Sequence, residues 1–257
     1  MLKLNYLYTL GNCKVIFMLN NYINSISQLD NFEKDDIICD KFTIEQNGRI
    51  QIIYAPHNEY VNKSAKILIV GICPGWTQTQ IAYKTFFEDF QKGIPVPEIQ
   101  KHCKFNSRFA GSMRKNLIDM LNDLHLNEHL GIENCTHLFD EECSLLHTTS
   151  LIPYPVFING KNYTGHNPDI LKSKILSTYV EKYFHPESEH FKNALIIPLG
   201  KSVDDVLKDM CNKGILTADK ILFGFPHTSG ANGHRKKQFE ENKTYFIKIV
   251  KKYFNEI

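Results

Sequence analysis

The residues whose types and spacing best suit binding or catalysis form a polar stretch near the carboxyl end of the chain. His227-Thr-Ser-Gly230 follows a predicted strand, and a glycine-containing loop then leads into a basic run. A helix is predicted from about residue 235 to residue 254. Backbone N–H groups at a helix start bind anions, and basic side chains strengthen that attraction, so this loop is predicted to bind phosphate. The alternative is a basic, solvated helix face. The candidate phosphate-binding residues are Ser229, Gly230, Asn232, His234, Arg235 and Lys236.

A second stretch of interest joins an apolar run to a turn. Residues 66–70 are rich in β-branched side chains and stop abruptly at Gly71-Ile-Cys-Pro-Gly75. This pattern is typical of a buried parallel strand that feeds a turn, and a helix is expected after Thr77. In open α/β sheets, ligands bind beyond the carboxyl ends of the strands. The turn is therefore predicted to line one wall of a site.

The elements that must position these residues alternate along the chain. Apolar strands that end in Pro or Gly alternate with helices, which predicts an α/β fold. We expect a three-layer α/β/α arrangement around a central, mainly parallel four-stranded sheet, with the strand ends meeting at one rim. The predicted core strands cover residues 66–70, 143–151, 194–199 and 220–224, and the predicted helices cover 80–91, a segment from Ser112 as N-cap, 168–184 and 235–254.

The chain of 257 residues suits one large domain with an extension. Residues 18–40 carry apolar side chains at helical spacing, so residues 1–45 are predicted to be a helical extension packed on an α/β domain of residues 46–257. Residues 93–109 are expected to be a break followed by a loop. His57 is expected at the surface.

Composition limits the classes of function. The formal charge is only +2, so nucleic-acid binding would need a local basic patch. Seven cysteines without a CxxC pair favour reduced thiols, a cytoplasmic protein, and neither a structural zinc nor an iron–sulfur cluster. The apolar segment 15–19 is too short to span a membrane, and a signal peptide is disfavoured. We expect a monomer without a cofactor or a metal.

Five motifs in order resemble the uracil-DNA glycosylase superfamily over roughly residues 50–250. Gly71-Ile-Cys-Pro-Gly75 is similar to its first motif, and His227-Thr-Ser-Gly230 is similar to its second. Residues 108–117, the strand at 143–151 with Pro153, and Gly200 resemble the intervening segments. The resemblance implies a pocket for a base flipped out of DNA. Its implied substrate-binding residues are Gly71, Ile72, Pro74, Gly75, Trp76, Phe109, His147 and Thr148.

The resemblance also implies roles for individual side chains. Phe109, or Trp76 as the second choice, would stack on the flipped base. His227 would donate a hydrogen bond to a carbonyl oxygen of the departing base and so stabilise the negative charge that develops there. His147 aligns with the asparagine that reads the base edge in related enzymes. The alternatives are a core role for Phe109 and a buried, satisfied histidine at 227.

The sequence departs from the family pattern at Cys73, where most branches carry Asp or Asn to position water. A thiol positions water only weakly, so Cys73 is a candidate catalytic residue chiefly by its position. Glu88 and Asp89 are candidate substitutes for the missing carboxylate.

The second departure is His147, which indicates a base other than uracil, and Thr148 or Asn162 could compensate for it. The sequence thus predicts a monofunctional DNA glycosylase that acts on a uracil-like, damaged or modified pyrimidine, in DNA repair or in defence against phage with modified bases. The alternatives are a catalytically silent member that binds DNA or a modified nucleotide, and a different hydrolase or nucleotide-binding α/β protein that shares only the sheet.

Overall fold

Two sheets form the framework of the described chain. The computed structural model describes residues 18–109, 111–140 and 143–255. Within these ranges, one sheet has three parallel strands and the other has four antiparallel strands. The strands are β1 (Thr43–Asn47), β2 (Ile50–Ile53), β3 (Ile67–Gly71), β4 (Leu146–Ser150), β5 (Val156–Ile158), β6 (Lys161–Asn162) and β7 (Leu195–Pro198).

The parallel sheet has the order β4-β3-β7, with β3 in the centre. Residues Ile67 to Val70 of β3 have no exposed surface. A strand that is covered on both faces needs apolar side chains in both orientations, which explains the continuous apolar run in the sequence. The predicted α/β fold with parallel core strands is confirmed.

The predicted fourth parallel strand, residues 220–224, is wrong as a full strand. Ile221 makes one parallel bridge to Ile196. The N–H of Phe223 then donates to the carbonyl of Ile221, and Gly224 adopts a φ of +91°. This turn ends the pairing after a single bridge, so the parallel sheet has three strands in the described chain.

The antiparallel sheet, ordered β1-β2-β5-β6, was not predicted. It joins the segment before β3 to the segment after β4, because Ile52 of β2 pairs with Val156 of β5. β5 and β6 form a short hairpin that brings Asn162 close to the start of the helix that follows β3. This sheet therefore helps to position the first motif.

Helices fill most of the remaining described chain. The helix predicted at 80–91 is confirmed and begins at Trp76, and the terminal helix is confirmed from Arg235. The helix predicted at 168–184 begins only at Lys174 and continues as a π-helical turn, Val180–Phe184. The α-helices are α1 (Ile23–Ser27), α2 (Lys34–Ile37), α3 (Trp76–Gln91), α4 (Val96–Ser107), α5 (Ser112–Asp123), α6 (Leu126–Leu130), α7 (Lys174–Tyr179), α8 (His185–Ser188), α9 (Lys201–Asn212) and α10 (Arg235–Asn255).

Helices cover both faces of the parallel sheet. Leu68 and Val70 of β3 share one apolar core with buried residues of α3, α4 and α9. Ile67 and Ile69 share a second core with buried residues of α5 and α10. Since side chains alternate along a strand, each face of β3 contributes to a different core. We call these the α3 face and the α5 face.

The predicted helix at residues 18–40 is wrong as one element. The structure has a short 3-10 turn at Leu19–Asn21 followed by α1 and α2. Asn, Ser and Asp residues in this stretch compete for backbone hydrogen bonds, which favours turns over a continuous helix. Ile26 is nevertheless fully buried in the α3-face core. β1 spans the predicted boundary between residues 45 and 46, and residues 1–17 lie outside the described chain.

The predicted loop within residues 93–109 is wrong, because α4 occupies most of it. Pro95 precedes the helix and Pro97 lies in its first turn, where proline is tolerated because those N–H groups lack helical partners. Ser112 was predicted to cap α5, but it is the first residue of that helix, and Gly111 holds the cap position without a side-chain hydrogen bond.

Candidate functional site

Three chain segments meet at the carboxyl edge of the parallel sheet. Gly71 ends β3 and pairs with Ser150, which ends β4. On the other side of β3, Gly200 follows the end of β7, and a Cβ atom built on Gly200 would lie 3.0 Å from Cβ of His227. The structure thus brings the first motif, the end of β4 and His227 to one edge.

The first motif loop is fixed by hydrogen bonds at the start of α3. The N–H of Trp76 donates to Oδ1 of Asn162 at 3.0 Å, and the N–H of Gly75 donates to Oε1 of Gln78 at 3.0 Å. Pro74 is buried beside them. Two N–H groups at this helix start are therefore occupied, and Asn162 caps the helix rather than reading a base.

The loop that follows β6 packs closely on the first motif. A Cβ atom built on Gly165 would lie 2.9 Å from Cδ1 of Ile72 and 2.7 Å from Ser202 at the start of α9. His166 and Ser202 also interact, with 3.3 Å between Nδ1 and Oγ. Ile72 therefore contacts protein on the α3 face, and a larger residue than glycine at 165 would displace the loop.

Cys73 also lies toward the α3 face, where it packs against the apolar core. Burial raises the pKa of its thiol to about 12, and a hydrogen bond from the backbone of Val156 offsets only part of that shift. The sulfur is therefore a neutral thiol near pH 7. A neutral thiol in this position is a poor nucleophile and a poor base for water.

His227 is the best-placed chemical group at this edge. Gly200 has a φ of +89°, which favours glycine, and the absence of a side chain there allows His227 to approach β7. The N–H of Ser229 donates to Nδ1 of His227 at 3.3 Å. Burial lowers the pKa of His227, so the ring is neutral near pH 7. With Nδ1 accepting a hydrogen bond, the proton of the neutral ring is on Nε2, which can donate.

The loop from His227 to Arg235 is built by side-chain amides. Asn116 of α5 donates to the carbonyl of Thr228 at 2.9 Å, and Asn232 donates to the carbonyl of His227 at 3.0 Å. Arg235 donates to the carbonyl of Asn232 at 3.1 Å and reaches Oδ1 of Asn116 at 3.5 Å. Asn116 lies within the segment 108–117, but sequence reasoning gave it no role, since its contact depends on α5 lying beside this loop.

These contacts divide the predicted phosphate-binding residues into two groups. Asn232 and Arg235 hold the loop together, so their side chains are already engaged. Gly230 packs near Ser112, because a Cβ atom built on it would lie 3.4 Å from Oγ of Ser112. Among the predicted residues, those with open access before and at the start of α10 are Gly230, His234 and Lys236, which are exposed, and Ser229, which is half-buried.

The two aromatic candidates lie on opposite faces of the sheet. Phe109 is 5% exposed and belongs to the α5-face core, in the segment that leads into α5. Trp76 packs against the α3-face core, with Nζ of Lys34 5.9 Å from its ring centroid. Phe109 is therefore the aromatic residue that shares a face with Phe225 and the segment before His227.

Phe109 has an unusual backbone conformation that Arg114 stabilises. Its φ is +46°, a left-handed value that is unfavourable for phenylalanine. Arg114 donates to the carbonyl of Phe109 at 3.1 Å and to the carbonyl of Arg108 at 2.7 Å. Such strain persists only where the surrounding contacts enforce it. Sequence reasoning missed Arg114, although it lies within the motif segment 108–117.

The structure does not bring His147 to the carboxyl edge. His147 is the second residue of β4, near the amino end of the strand, and it is 2% exposed. Its Nε2 lies 2.8 Å from Oε1 of Glu187, its Nδ1 accepts from the N–H of Asn62 at 3.4 Å, and its ring stacks on Phe191 at 4.8 Å. His147 is thus a fully engaged interior residue, and Ser150 holds the position at the strand end.

Thr148 points to the opposite face from His147. It shares the α5 face with Leu146 and Ser150, because side chains alternate along β4. Its Oγ1 is buried without a hydrogen-bond partner in the described chain. Thr148 therefore lies on the same side of the sheet as Phe109.

Glu88 and Asp89 do not lie near the first motif. They are in the last turn of α3, about 20 Å along the helix from Gly75 at 1.5 Å per residue. Glu88 is exposed, and Asp89 bonds to Nδ1 of His102 at 2.6 Å. They cannot replace a carboxylate at position 73.

His57 was predicted to be a surface residue and is instead buried, with its Nδ1 bonded to Oγ of Ser107. Burial lowers its pKa well below the ordinary value, and the charge of Lys104 adds to that effect. It belongs with Lys104 on the outer edge of β4, not with the carboxyl edge.

Two kinds of feature are absent from the described residues. They include no cluster of three or more His, Cys, Asp and Glu side chains that could hold a metal ion. None of their helices has the length and apolar character needed to cross a membrane.

These features define the class of protein: an α/β protein with a polar site at the carboxyl edge of a parallel sheet, where a neutral histidine and a basic loop meet. No family model matches the sequence. The chain is 42% identical over 221 residues to the uncharacterized protein YoxB of Bacillus subtilis (strain 168), a match that covers 86% of each chain. The protein belongs to the same family as YoxB.

Proposed function

We propose that this protein is a monofunctional DNA glycosylase that hydrolyses the N-glycosidic bond of a flipped-out, modified pyrimidine and leaves an abasic site. The observation that carries the proposal is the placement of His227. Its neutral ring, with Nε2 free to donate, lies at the same edge as the first motif loop. The proposal includes a more specific fold within the α/β class, which is the three-layer arrangement of the uracil-DNA glycosylase superfamily.

The reaction requires stabilisation of charge on the departing base. When the glycosidic bond breaks, the electron pair stays with the base and negative charge develops on its carbonyl oxygen. A hydrogen bond from Nε2 of His227 would stabilise that oxygen, and removal of one such donor typically costs 10²–10³-fold in rate. The backbone N–H of Ser229 holds the ring in the tautomer that this role needs.

The remaining parts of the site fit substrate binding. Phe109 is the aromatic residue that would contact the base from the α5-face core, and hydrogen bonds from Arg114 hold its backbone. Ser229, His234 and Lys236 are placed to contact phosphates that flank the extruded nucleotide, since backbone contacts position a protein on DNA. No lysine occupies a motif position, so a lyase step is not part of the proposal.

One observation favours a second candidate function, a catalytically silent protein that binds DNA or a modified nucleotide. Position 73 carries a neutral thiol that faces the α3-face core, and its pKa of about 12 excludes a role as a base near pH 7. Without a group that orients water at this position, the site could bind a base without releasing it.

An assay of base release separates the two functions. Oligonucleotides that carry single altered pyrimidines are incubated with the protein, and abasic sites are then cleaved with alkali. Cleavage at the altered base supports the glycosylase. Binding to the same oligonucleotides without cleavage supports the silent protein, and neither binding nor cleavage overturns both.

A further inference from the structure

Two hydroxyl groups near the candidate site lack hydrogen-bond partners in the described chain. Oγ1 of Thr148 and Oγ1 of Thr228 are buried without a hydrogen-bond partner in the described chain. Thr148 is 3% exposed and Thr228 is 0% exposed. A buried, unsatisfied polar group is costly and calls for an explanation, such as a ligand that satisfies it.

Ser150 adds a third hydroxyl, on the same face of β4 as Thr148 and at the carboxyl end of the strand. It ends β4 opposite Gly71, and a Cβ atom built on Gly71 would lie 3.6 Å from its Oγ. Thr148 lies two residues deeper on the same face, about 7 Å along the strand. Thr228 directly follows His227, and its carbonyl is held by Asn116 of α5. Thr228 therefore lies at the edge that holds His227, beyond the end of β7, and Thr148 and Ser150 lie on the α5 face of β4, on the other side of β3.

We propose that Ser150, Thr148 and Thr228 read the edge of the bound pyrimidine, and that the pocket accepts bases with either a carbonyl or an amine at position 4. This proposal deepens the proposed function and rests on it.

The physical reason is the freedom of a hydroxyl. An asparagine amide presents a donor and an acceptor at fixed positions, so it favours one pattern on the base edge. A hydroxyl donates or accepts according to how it rotates. A 4-oxo pyrimidine and a 4-amino pyrimidine differ in that pattern, at the exocyclic group and at N3. Hydroxyls satisfy both patterns, whereas a fixed amide leaves unpaired groups with one of them.

The test measures binding without requiring cleavage. Oligonucleotides carry 2′-fluoro nucleotides with either 5-hydroxymethyluracil or 5-hydroxymethylcytosine at one position, because fluorine slows glycosidic cleavage. We expect the natural protein to bind the two within about threefold of each other. The Ser150→Asn variant should bind one of the two at least about tenfold more tightly than the other, because an amide held in one orientation matches only one pattern. A natural protein that already discriminates by more than tenfold overturns the proposal, as does an unchanged ratio in Ser150→Asn.

A second variant separates ligand binding from a structural role. Thr148→Val keeps the shape and removes only the hydroxyl, so it should weaken binding of both oligonucleotides severalfold without lowering the melting temperature. A lower melting temperature with unchanged affinity overturns the role of Thr148. Thr149→Val is the matched control, because Thr149 lies on the opposite face and donates to Oε2 of Glu187 at 3.0 Å. It should lower the melting temperature and leave the ratio of affinities unchanged.

The two proposals fail in different ways. If oligonucleotides with ordinary sugars release no base while the binding results are as expected, the glycosylase is excluded and the hydroxyl pocket stands. If bases are released but Ser150→Asn does not change the preference, the glycosylase stands and the hydroxyl pocket is excluded.

Discussion

His147, which is buried, and His227, which is half-buried, differ in which ring nitrogens their surroundings leave open. His147 is engaged at both ring nitrogens, and its partner Glu187 is engaged at both carboxylate oxygens. His227 accepts a hydrogen bond at Nδ1 and keeps Nε2 as a donor, beside the unpartnered hydroxyl of Thr228. Burial lowers the pKa of both rings. A lowered pKa therefore does not distinguish a functional histidine from a structural one, whereas the free donor does.

The largest expected effect is on catalysis at His227. His227→Ala should reduce the rate of base release about 100-fold or more, because it removes the donor to the departing base. Single-turnover cleavage of an altered-base oligonucleotide measures this rate. His137→Ala is the matched control, since His137 is exposed on the 3-10 turn Cys135–Phe139 and its ring pairs with Asp140. A His227→Ala variant with the natural rate would remove the proposed role.

The next largest effect is expected on the stability of the fold when His147 loses its partner Glu187. Glu187→Ala should lower the free energy of unfolding by about 3 kcal/mol, because it leaves His147 and Thr149 without their acceptor in the interior. Urea denaturation measures this loss. At temperatures where the variant is folded, the rate of base release should stay within a few-fold of the natural rate. If stability is kept while the rate falls 100-fold, the assignment of the two histidines must be reversed.

Residue pattern was enough to predict the parts of the fold that depend on local periodicity. The buried strand at 66–70 and the helices that begin near residues 76 and 235 follow from runs of apolar residues and from Gly and Pro breaks. The antiparallel sheet was not visible in this way. β5 and β6 are short, and the pairing of β5 with β2 depends on contacts about 100 residues apart in the chain.

The location of the candidate site was predicted from the order of the strands and the residues at their ends. Strand ends of parallel strands share one edge, so the first motif and His227 were expected together. The error at His147 came from treating the strand at 143–151 as a unit. The strand begins only at Leu146, so His147 lies at its amino end and Ser150 at its carboxyl end. The two side chains also point to opposite faces, and a shift of one residue decides which face is used.

The buried carboxyl group of Glu59 predicts a dependence of stability on pH. Glu59 is 4% exposed, and burial raises its pKa to about 8 from an ordinary value of 4.5. The folded protein therefore binds more protons at Glu59 than the unfolded chain between these values. Below about pH 4.5 Glu59 is protonated in both states, and its contribution to the free energy of unfolding is fully present. As the pH rises toward 8, Glu59 ionises more readily in the unfolded chain, and this contribution is lost.

Glu59→Gln should remove that loss. The stability of the variant relative to the natural protein should increase as the pH rises from about 4.5 to about 8, by at most about 1.4 kcal/mol for each pH unit. Urea denaturation at several pH values measures the difference, which cancels the titration of groups that are common to both proteins. Lys104, whose pKa burial lowers to about 7, interacts with the charge of Glu59, so a change in its titration is part of the measured difference. A difference that is constant over this range would show that Glu59 is not buried in solution.

The smallest effect is expected on DNA affinity at the loop proposed to bind phosphate. This loop also contains both hydrogen-bonded and open side chains. Arg235 is engaged with Asn232 and Asn116, so replacing it would disturb the loop as well as the charge. Lys236 is exposed, so Lys236→Ala tests charge alone. If Lys236 contacts one phosphate, the slope of log affinity against log salt should become shallower by about 0.7–0.9. Lys251→Ala, about 22 Å further along α10, should leave the slope unchanged. Equal slopes for all three proteins would place the DNA elsewhere, because loss of a phosphate contact must change the number of ions released.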